Sequence, residues 1–399
     1  MKTQYRLIAW TAVCSAALVF GVLATAGAKH PQEGAKVKLD TGDELFVLAP
    51  ITHRNLSIFP IRRPSTREPS DAGRYLSLDE GLKSGLIEVH ELGEGNPPPL
   101  VRPRPPVGPS QSGAQVFEPT QSNQRAQQVR GQTSGPDVNR LMIVNKSDRK
   151  LLLLAGEMVV GGKQDRIVQK DRIVPPSDKP TVIDVFCVEQ GRWSGNTSQF
   201  GAAAIPGGAG GGFGGGIADP AVRGTAQASG KQSEVWDEVG KKNRSAGVQS
   251  GVTTYQAARI NVGNRGQDKP YLDALEKKVA GHDIVGAIVS VNGKLIWLDE
   301  FSSPALFAKY WPKLLRSYVM EAVAAQPSQD LEPRIIWKVP TPEQAAAYRM
   351  DRTGSAKFEG EEGIFKLLRI DGKQHVLYEL TDLDRKDSRV LHACKMERK

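Results

Sequence analysis

Polar residues that could do chemistry are concentrated in two clusters, each directly after an apolar run. The first cluster lies in GEMVVGGKQDR (156–166) and the second in CVEQGRW (187–193). Each contains one glutamate, and two carboxyl groups in different environments can divide the roles of acid and base between them. We therefore take Glu157 and Glu189 as the candidate catalytic residues.

The same clusters hold side chains suited to an anionic ligand of sugar or nucleotide type. Arginine makes bidentate contacts with phosphate or carboxylate, and a tryptophan ring offers a face to a sugar or a base. The candidate ligand-binding residues are Lys163, Gln164, Arg166, Arg192 and Trp193. The alternative is structural, because Glu157 with Arg166 or Arg192 would also form an internal ion pair.

The apolar runs before these clusters are strand-like, so both clusters are predicted to be loops at strand ends. Loops held by a rigid sheet are where binding residues concentrate. We therefore expect the candidate side chains to line one concave surface. Carboxyl groups about 5–10 Å apart around an open cleft would favour hydrolysis, whereas burial of either glutamate against an arginine would favour a structural role.

Motifs of several common chemistries are missing from the sequence. It has no GxSxG, HExxH or CxxC, and its histidines show no metal-ligand spacing. The glycine-rich run at 201–216 lacks the Lys-Ser/Thr of a phosphate-binding loop. The sequence therefore predicts neither a metal nor a cofactor.

The amino-acid composition excludes some classes of protein. Lys and Arg number 53 against 44 Asp and Glu, a net charge of +9 over 399 residues, and this excess is too diffuse to predict a nucleic-acid partner. Three cysteines exclude a small disulfide-stapled fold. An anionic small molecule or a glycan remains the expected partner, and the oligomeric state is open.

The first 28 residues have the layout of a secretory signal. A charged start with Lys2 and Arg6 precedes an apolar run over 7–23 and the small-residue site Ala26-Gly27-Ala28. We expect export to the periplasm or the cell exterior. The alternative is an uncleaved anchor over residues 7–27, which would be the one contact with a membrane. Cleavage would leave Cys187 and Cys394, either paired or as buried thiols.

Hydrophobic periodicity predicts an α+β fold, β-rich and mixed, with a few helices. Residues 94–136 (rich in Pro, Gln and Ser) and 201–216 (rich in Gly) are predicted to be mobile insertions in a domain over 40–325. Residues 331–399 are predicted to form a small β-rich module. Hairpins are expected over 141–154, over 284–299 with Asn292-Gly293 at its turn, and over 365–380. A helix is expected from Ser303-Pro304, with Phe307, Tyr310, Leu314 and Tyr318 inward.

Several stretches resemble one known family. They are LFVLAPI (45–51), YLSL (75–78), GEMVVGGKQDR (156–166), CVEQGRW (187–193), QSEVW (232–236) and the region of Asp299-Glu300-Phe301. The family is the ARG (ADP-ribosylglycohydrolase) and Rhodanese-Phosphatase-superfamily-associated protein domain. The resemblance covers roughly residues 40–325 and implies a link to ADP-ribose or phosphorylated nucleotide metabolism, without assigning catalytic residues.

Three functions are compatible with the sequence. The first is an exported domain that binds an anionic ligand through the two strand-end loops. The second is a hydrolase or transferase for an ADP-ribose-like or glycan substrate, which would use Glu157 and Glu189. The third is a non-catalytic interaction protein of the cell envelope, whose two insertions contact partners.

Overall fold

A computed structural model describes residues 35–38, 44–64, 71, 73–92, 139–191, 200–202, 216–279, 281, 283–327, 337–386 and 389–398. All of them belong to one unit, Gly34–Lys399. The predicted leader, the insertion at 94–136, residues 203–215 of the glycine-rich run, and Arg192 and Trp193 lie outside the described residues. No helix in the described part of the chain is long and apolar enough to cross a membrane.

The described residues form nineteen strands and seven helices. The strands are β1 (Ala35–Lys38), β2 (Glu44–Val47), β3 (Ile51–His53), β4 (Leu56–Arg62), β5 (Tyr75–Ser77), β6 (Ile87–Glu91), β7 (Arg140–Asn145), β8 (Lys150–Leu153), β9 (Met158–Gly161), β10 (Arg166–Val168), β11 (Arg172–Val174), β12 (Ser177–Cys187), β13 (Phe200–Ala202), β14 (Ile284–Val291), β15 (Lys294–Phe301), β16 (Ser355–Glu361), β17 (Phe365–Asp371), β18 (His375–Asp382) and β19 (Val390–Glu397). The helices are α1 (Leu78–Ser84), α2 (Pro220–Ser229), α3 (Gln232–Ser245), α4 (Tyr255–Asn264), α5 (Lys269–Val279), α6 (Pro304–Ala324) and α7 (Pro342–Met350).

The strands form three sheets, which confirms the predicted β-rich α+β fold. A ten-stranded sheet runs β1-β2-β4-β14-β15-β19-β18-β17-β16, with β3 also paired to β4. A six-stranded sheet runs β13-β9-β10-β12-β7-β6, and a three-stranded sheet runs β11-β8-β5. Pairing is antiparallel except between β5 and β8.

The C-terminal segment is part of the main sheet. Strand β19 pairs with β15 from Phe301↔His392 to Trp297↔Met396, and β18 and β17 follow it. The predicted module over 331–399 therefore does not stand apart from the domain, because its strands fill the edge that β15 would otherwise leave open.

Two of the predicted hairpins form as expected. Strands β14 and β15 pair around Asn292 and Gly293, whose φ angles of 53° and 78° are those of a tight turn that favours this dipeptide. Strands β17 and β18 pair on either side of Gly372. In both hairpins the residues of the turn determine where the chain reverses direction.

The hairpin predicted over 141–154 is wrong. Strand β7 pairs with β6 and β12, whereas β8 pairs with β5 and β11 in a different sheet. The loop between them is held by Asn145, whose amide donates to the carbonyls of Arg149 (2.8 Å) and Val174 (3.0 Å). Four apolar residues in a row do not specify which strand they pair with.

Helix α6 begins where the sequence predicts, and its apolar face packs against β14. The side-chain oxygen of Ser303 accepts the backbone N–H of Leu306 and caps the helix. The four residues expected to face inward are all buried: Phe307, Tyr310, Leu314 and Tyr318. The polar residues of α6 lie among side chains from α1, the β9 region and α2, so this helix links the parts of the molecule that hold the site.

Helices α2, α3 and α4 cover one face of the six-stranded sheet. Val222, Val235 and Tyr255 pack there against Ile167 and Phe186. Helix α2 also contacts α6 and β19, so this helix lies between the two large sheets.

Candidate functional site

The first predicted cluster folds into a buried turn between β9 and β10. Gln164 and Arg166 have no exposed surface. Arg166 Nη1 donates to Gln164 Oε1 (3.4 Å), and Arg166 Nη2 lies 3.8 Å from Glu91 Oε1 on β6. The backbone N–H of Lys163 donates to the same Glu91 oxygen (3.0 Å). The structure therefore places this cluster in an internal ion-pair network, whose partner is Glu91 and not Glu157.

Glu157 is also buried, and it faces α6. Its Oε2 accepts the backbone N–H of Leu154 (2.7 Å), and its Oε1 forms an ion pair with Lys313. Lys313 Nζ lies 3.2 Å from Asp79 Oδ2 as well. Burial raises the pKa of Glu157, although the Lys313 ammonium opposes this.

Glu157 and Glu189 are not brought together. The Glu157 carbonyl accepts the backbone N–H of Val168, and Val168 pairs with Val185, four residues before Glu189. At the usual strand spacing and rise the two glutamates lie roughly 15 Å apart. Glu189 is half-buried and its backbone bridges to Thr254. This is a separation of backbones, and Glu157 is buried against Lys313, so the structure favours a structural role for Glu157.

A different pair of carboxyl groups lies at a cavity of about 370 Å³, which we call the α2 cleft. It is bounded by α2, α3, α6, β15, β17, β18 and β19. Its lining residues are Pro220, Ala221, Gly224, Thr225, Ala228, Ser229, Glu234, Ile296, Trp297, Glu321, Arg369, Val376, Met396, Glu397 and Arg398.

The pair consists of Asp219 and Glu321. Asp219 caps the N-terminus of α2, and its Oδ1 accepts the backbone N–H of Ala221 (3.1 Å). Glu321 Oε2 accepts the same N–H (3.0 Å). Lys242 Nζ lies 2.8 Å from Glu321 Oε2 and 3.3 Å from Asp219 Oδ1. The two carboxyl oxygens thus share two donors and lie side by side.

The environments of the two carboxyl groups differ. Asp219 is fully buried, and the Tyr255 hydroxyl donates to its Oδ2 (2.6 Å). The Glu321 side chain is 17% exposed and lines the α2 cleft. Burial raises the pKa of Glu321 to about 7, helped by the Asp219 carboxylate. Burial acts on Asp219 too, but the Lys242 ammonium holds the pKa of that carboxyl below its usual value. The exchangeable proton of the pair is therefore on Glu321, at the cleft, and is gained or lost as the pH passes through about 7.

A buried charge network fixes one wall of the cleft. Trp297 Nε1 donates to Asp299 Oδ2 (2.8 Å), and the Arg223 guanidinium lies 4.6 Å from the Trp297 ring centroid. Arg223 donates to both Asp299 oxygens, at 3.0 and 3.1 Å. The indole is thus fixed by a hydrogen bond on its edge and a cation on its face.

Behind Asp299, His392 joins the network from β19. His392 Nε2 lies 3.1 Å from Asp299 Oδ1, and its Nδ1 lies 2.6 Å from Asp171 Oδ2. Burial disfavours the imidazolium, but the two carboxylates raise the pKa of His392 to about 9. The Arg223 guanidinium holds the pKa of Asp299 to about 2, against the effect of burial. His392 is therefore an imidazolium between two carboxylates at neutral pH.

Comparison with known families decides the identity of the domain. The model of the ARG and Rhodanese-Phosphatase-superfamily-associated Protein domain matches residues 44–396. The chain belongs to this family. The ARPP-1 domain thus extends through β19 and includes every residue of the carboxyl pair and of the charge network. No curated protein and no solved structure matched the chain.

Sequence reasoning missed the carboxyl pair of this ARPP-1 domain. Asp219-Pro220 directly after the glycine-rich run is a helix-start signal that would have placed Asp219 at an N-cap. In α6, Lys313, Ser317 and Glu321 recur at a spacing of four on an otherwise apolar face. Such a polar row within a core helix indicates buried partners, although it does not say which.

Among the described residues, the ARPP-1 domain has no cluster of three His, Cys, Asp or Glu side chains placed to hold a metal ion. Cys187 and Cys394 are both buried and are not joined to each other. Burial raises the pKa of the Cys187 thiol to about 11.

Proposed function

We propose that this ARPP-1 domain hydrolyses a small, sugar-containing anionic molecule in the α2 cleft, with Glu321 as the proton-transferring group. One observation carries the proposal. Glu321 and Asp219 share the Ala221 N–H and the Lys242 ammonium, yet only the Glu321 carboxyl is exposed to the cleft. This arrangement favours one protonated and one ionised carboxyl group.

The chemistry follows from the protonation states. Protonated Glu321 donates its proton to the oxygen of the leaving group as the bond to that oxygen breaks. A water molecule adds to the other fragment and gives a proton back to the Glu321 carboxylate. One product thus gains a hydrogen and the other gains the hydroxyl group of the water molecule. Asp219 and Lys242 are buried and act as positioning residues that set the protonation state of Glu321.

The cleft walls support the ligand class. Ile296 and Ala228 are only partly buried and offer apolar surface against which a sugar ring packs. Arg369 and Arg398 lie at the cleft and provide cations for a phosphate or carboxylate. A cavity of about 370 Å³ is within the usual range of small-molecule sites.

The test is replacement of the proton donor at nearly constant shape. Purified protein is screened with ADP-ribose, nucleotides and glycans, and hydrolysis is measured by the release of products. We expect Glu321→Gln to lower the rate by about 10²-fold or more with little change in ligand affinity. The matched control is Glu234→Gln, which removes a carboxyl group from the same cleft and should keep the rate.

Equal rates for Glu321→Gln and the unchanged protein would reject the assignment of Glu321. A screen in which no compound is hydrolysed, by a protein with an intact thermal melt, would reject the hydrolase itself for these ligand classes.

The pH profile gives a second test. If Glu321 is the acid, the rate should fall as the pH rises through about 7, because the protonated form is lost. Asp219→Asn keeps an N-cap but removes the neighbouring negative charge, so it should lower the pKa of Glu321 and move this fall to lower pH. An unmoved profile in a folded Asp219→Asn protein would contradict the coupling of the pair.

We further propose that the domain works outside the cytoplasm. The support is the leader-like sequence over residues 1–28, which lies outside the described residues. N-terminal sequencing of the protein from cell fractions tests this. A chain that begins at Met1 and is recovered from the cytoplasm would overturn it.

A further inference from the structure

A second cavity, of about 330 Å³, lies along α3 and the segment that follows it, and we call it the α3 groove. Its lining residues are Gln190, Trp236, Val239, Gly240, Asn243, Arg244, Val248, Gln249, Ser250, Gly251, Val252 and Thr253. None of them lines the α2 cleft, so the two cavities are separate.

Two buried polar atoms of the groove lack partners. Trp236 Nε1 has no acceptor and Asn243 Oδ1 has no donor among the residues that the structure describes. Asn243 is only 5% exposed, and its amide nitrogen already donates to the carbonyl of Val252 (3.3 Å). A buried donor or acceptor without a partner destabilises the structure, because the group has lost its hydrogen bonds to water. A groove with one of each is suited to a ligand that offers both an acceptor and a donor.

The helix leaves room for such a ligand. Trp236, Gly240 and Asn243 are spaced by four and three residues, so they lie on one face of α3. Gly240 has no side chain between the other two, and a Cβ there would meet only Arg244 Nη1, at 3.4 Å. The indole and the amide therefore face the same space.

The charge on the described lining of the groove is positive. Among the lining residues that the structure describes, Arg244 is the one charged side chain and none carries a carboxylate. The α2 cleft differs, since three glutamates line it. Val252 is 42% exposed and adds apolar surface beside the cation.

We infer that the α3 groove binds a hydroxyl-bearing ring that carries a phosphate group, as in a sugar phosphate or a nucleotide. The hydroxyls supply both the acceptor for Trp236 Nε1 and the donor for Asn243 Oδ1. The indole provides a face for the ring, and Arg244 provides the cation for the phosphate. The inference does not depend on the proposed hydrolysis, because it uses no residue of the α2 cleft.

Isothermal titration of the full chain with four probes tests the inference. The probes are ribose 5-phosphate, ribose, AMP and adenosine. We expect binding of at least one phosphorylated probe, with the unphosphorylated partner about tenfold weaker or more. Preference for AMP would identify a nucleotide site, and equal binding of ribose 5-phosphate would identify a sugar-phosphate site. Absence of binding by both phosphorylated probes would overturn the inference.

Variants locate the binding. Arg244→Gln should remove the preference for phosphorylated probes. Trp236→Phe keeps the aromatic ring but loses the N–H, so it should weaken both members of each pair. Lys241→Gln, which removes a cation from the same helix outside the groove, is the matched control and should bind like the unchanged protein. The inference fails if Arg244→Gln and Trp236→Phe bind as the control does, or if Lys241→Gln loses the phosphate preference as well.

Arg398→Gln separates this inference from the proposed hydrolysis. It removes a cation that the proposed function assigns to ligand binding in the α2 cleft, and it lies outside the α3 groove, so titration of the α3 groove should be unchanged. If Arg398→Gln abolished the binding measured here, the α2 cleft would be the binding site and the inference would be wrong.

Discussion

Buried charges are held in place by other buried charges throughout this protein. Arg223 with Asp299 and Lys313 with Glu157 are nearly or fully hidden from solvent on both sides. Removing one member of such a pair leaves the other charged and unpaired in a medium of low polarity, which typically costs about 3–5 kcal/mol. At the scale of single residues, these pairs are where the fold is most sensitive to substitution.

Arg166 gives the sharpest test of this sensitivity. Arg166→Ala should lower the free energy of unfolding by about 3 kcal/mol or more, because Glu91 loses its buried partner. Arg140→Ala, an exposed position at the start of β7, is the control and should change stability by less than about 0.5 kcal/mol. Urea denaturation measures both. A small loss for Arg166→Ala would return this arginine to the list of ligand-binding candidates.

His392 should make stability depend on pH. Its pKa is raised in the folded state, so its contribution is complete below the ordinary value of 6.5 and is lost as the pH rises through about 9. The free energy of unfolding should therefore fall between these values. His392→Gln should be less stable at neutral pH and should lose most of this slope. Equal slopes in the two proteins would show that another group titrates.

At the scale of elements, the close pairing of β14 and β15 depends on one glycine. A Cβ at Gly286 would lie 2.5 Å from the carbonyl oxygen of Asp299 and 2.8 Å from the Cα of Glu300. Neither backbone atom can move aside without shifting Asp299, which anchors Trp297 and the charge network. The glycine thus connects the packing of two strands to one wall of the α2 cleft.

Gly286→Ala should therefore destabilise the fold by about 1–3 kcal/mol and disturb the cleft. Gly73→Ala is the control, because no atom of the described residues lies within 4 Å of a Cβ at that turn. Thermal melts compare the two. A Gly286→Ala protein as stable as the control would mean that the strands separate at no cost.

Elements differed in how far the sequence could predict them. The Asn292-Gly293 hairpin and the Ser303 cap depend on residues that touch their neighbours in the chain, so local chemistry was sufficient. The partners of β7 and β8 come from distant segments, and four apolar residues do not encode a partner. The carboxyl pair was missed for the same reason, because its members come from distant segments of the chain. Glutamates were sought beside apolar runs, but what sets the chemistry of Glu321 is Lys242 and Asp219, about 80 and 100 residues earlier in the chain.

At the scale of the whole molecule, the C-terminal strands complete the main sheet. A chain that ends at residue 330 would leave the edge of β15 unpaired and would uncover Trp297 and Phe301, which are now buried. It would also lack His392.

We therefore expect the chain without residues 331–399 to be insoluble or to show no cooperative thermal melt by circular dichroism. Deletion of residues 94–136, which the sequence predicts to be mobile, is the control and should shift the melting temperature little. A cooperative melt of the chain shortened to residue 330 would restore the C-terminal module as a separate unit.

The two buried thiols can report how often each of the two large sheets opens. Cys187 lies in the six-stranded sheet and Cys394 in the ten-stranded sheet, and both are hidden from solvent. A thiol reagent can modify either one only while the surrounding structure is open, so the rate of labelling reports how often that sheet opens. Equal labelling rates at the two cysteines would mean that the sheets open together, and unequal rates would show which sheet opens first.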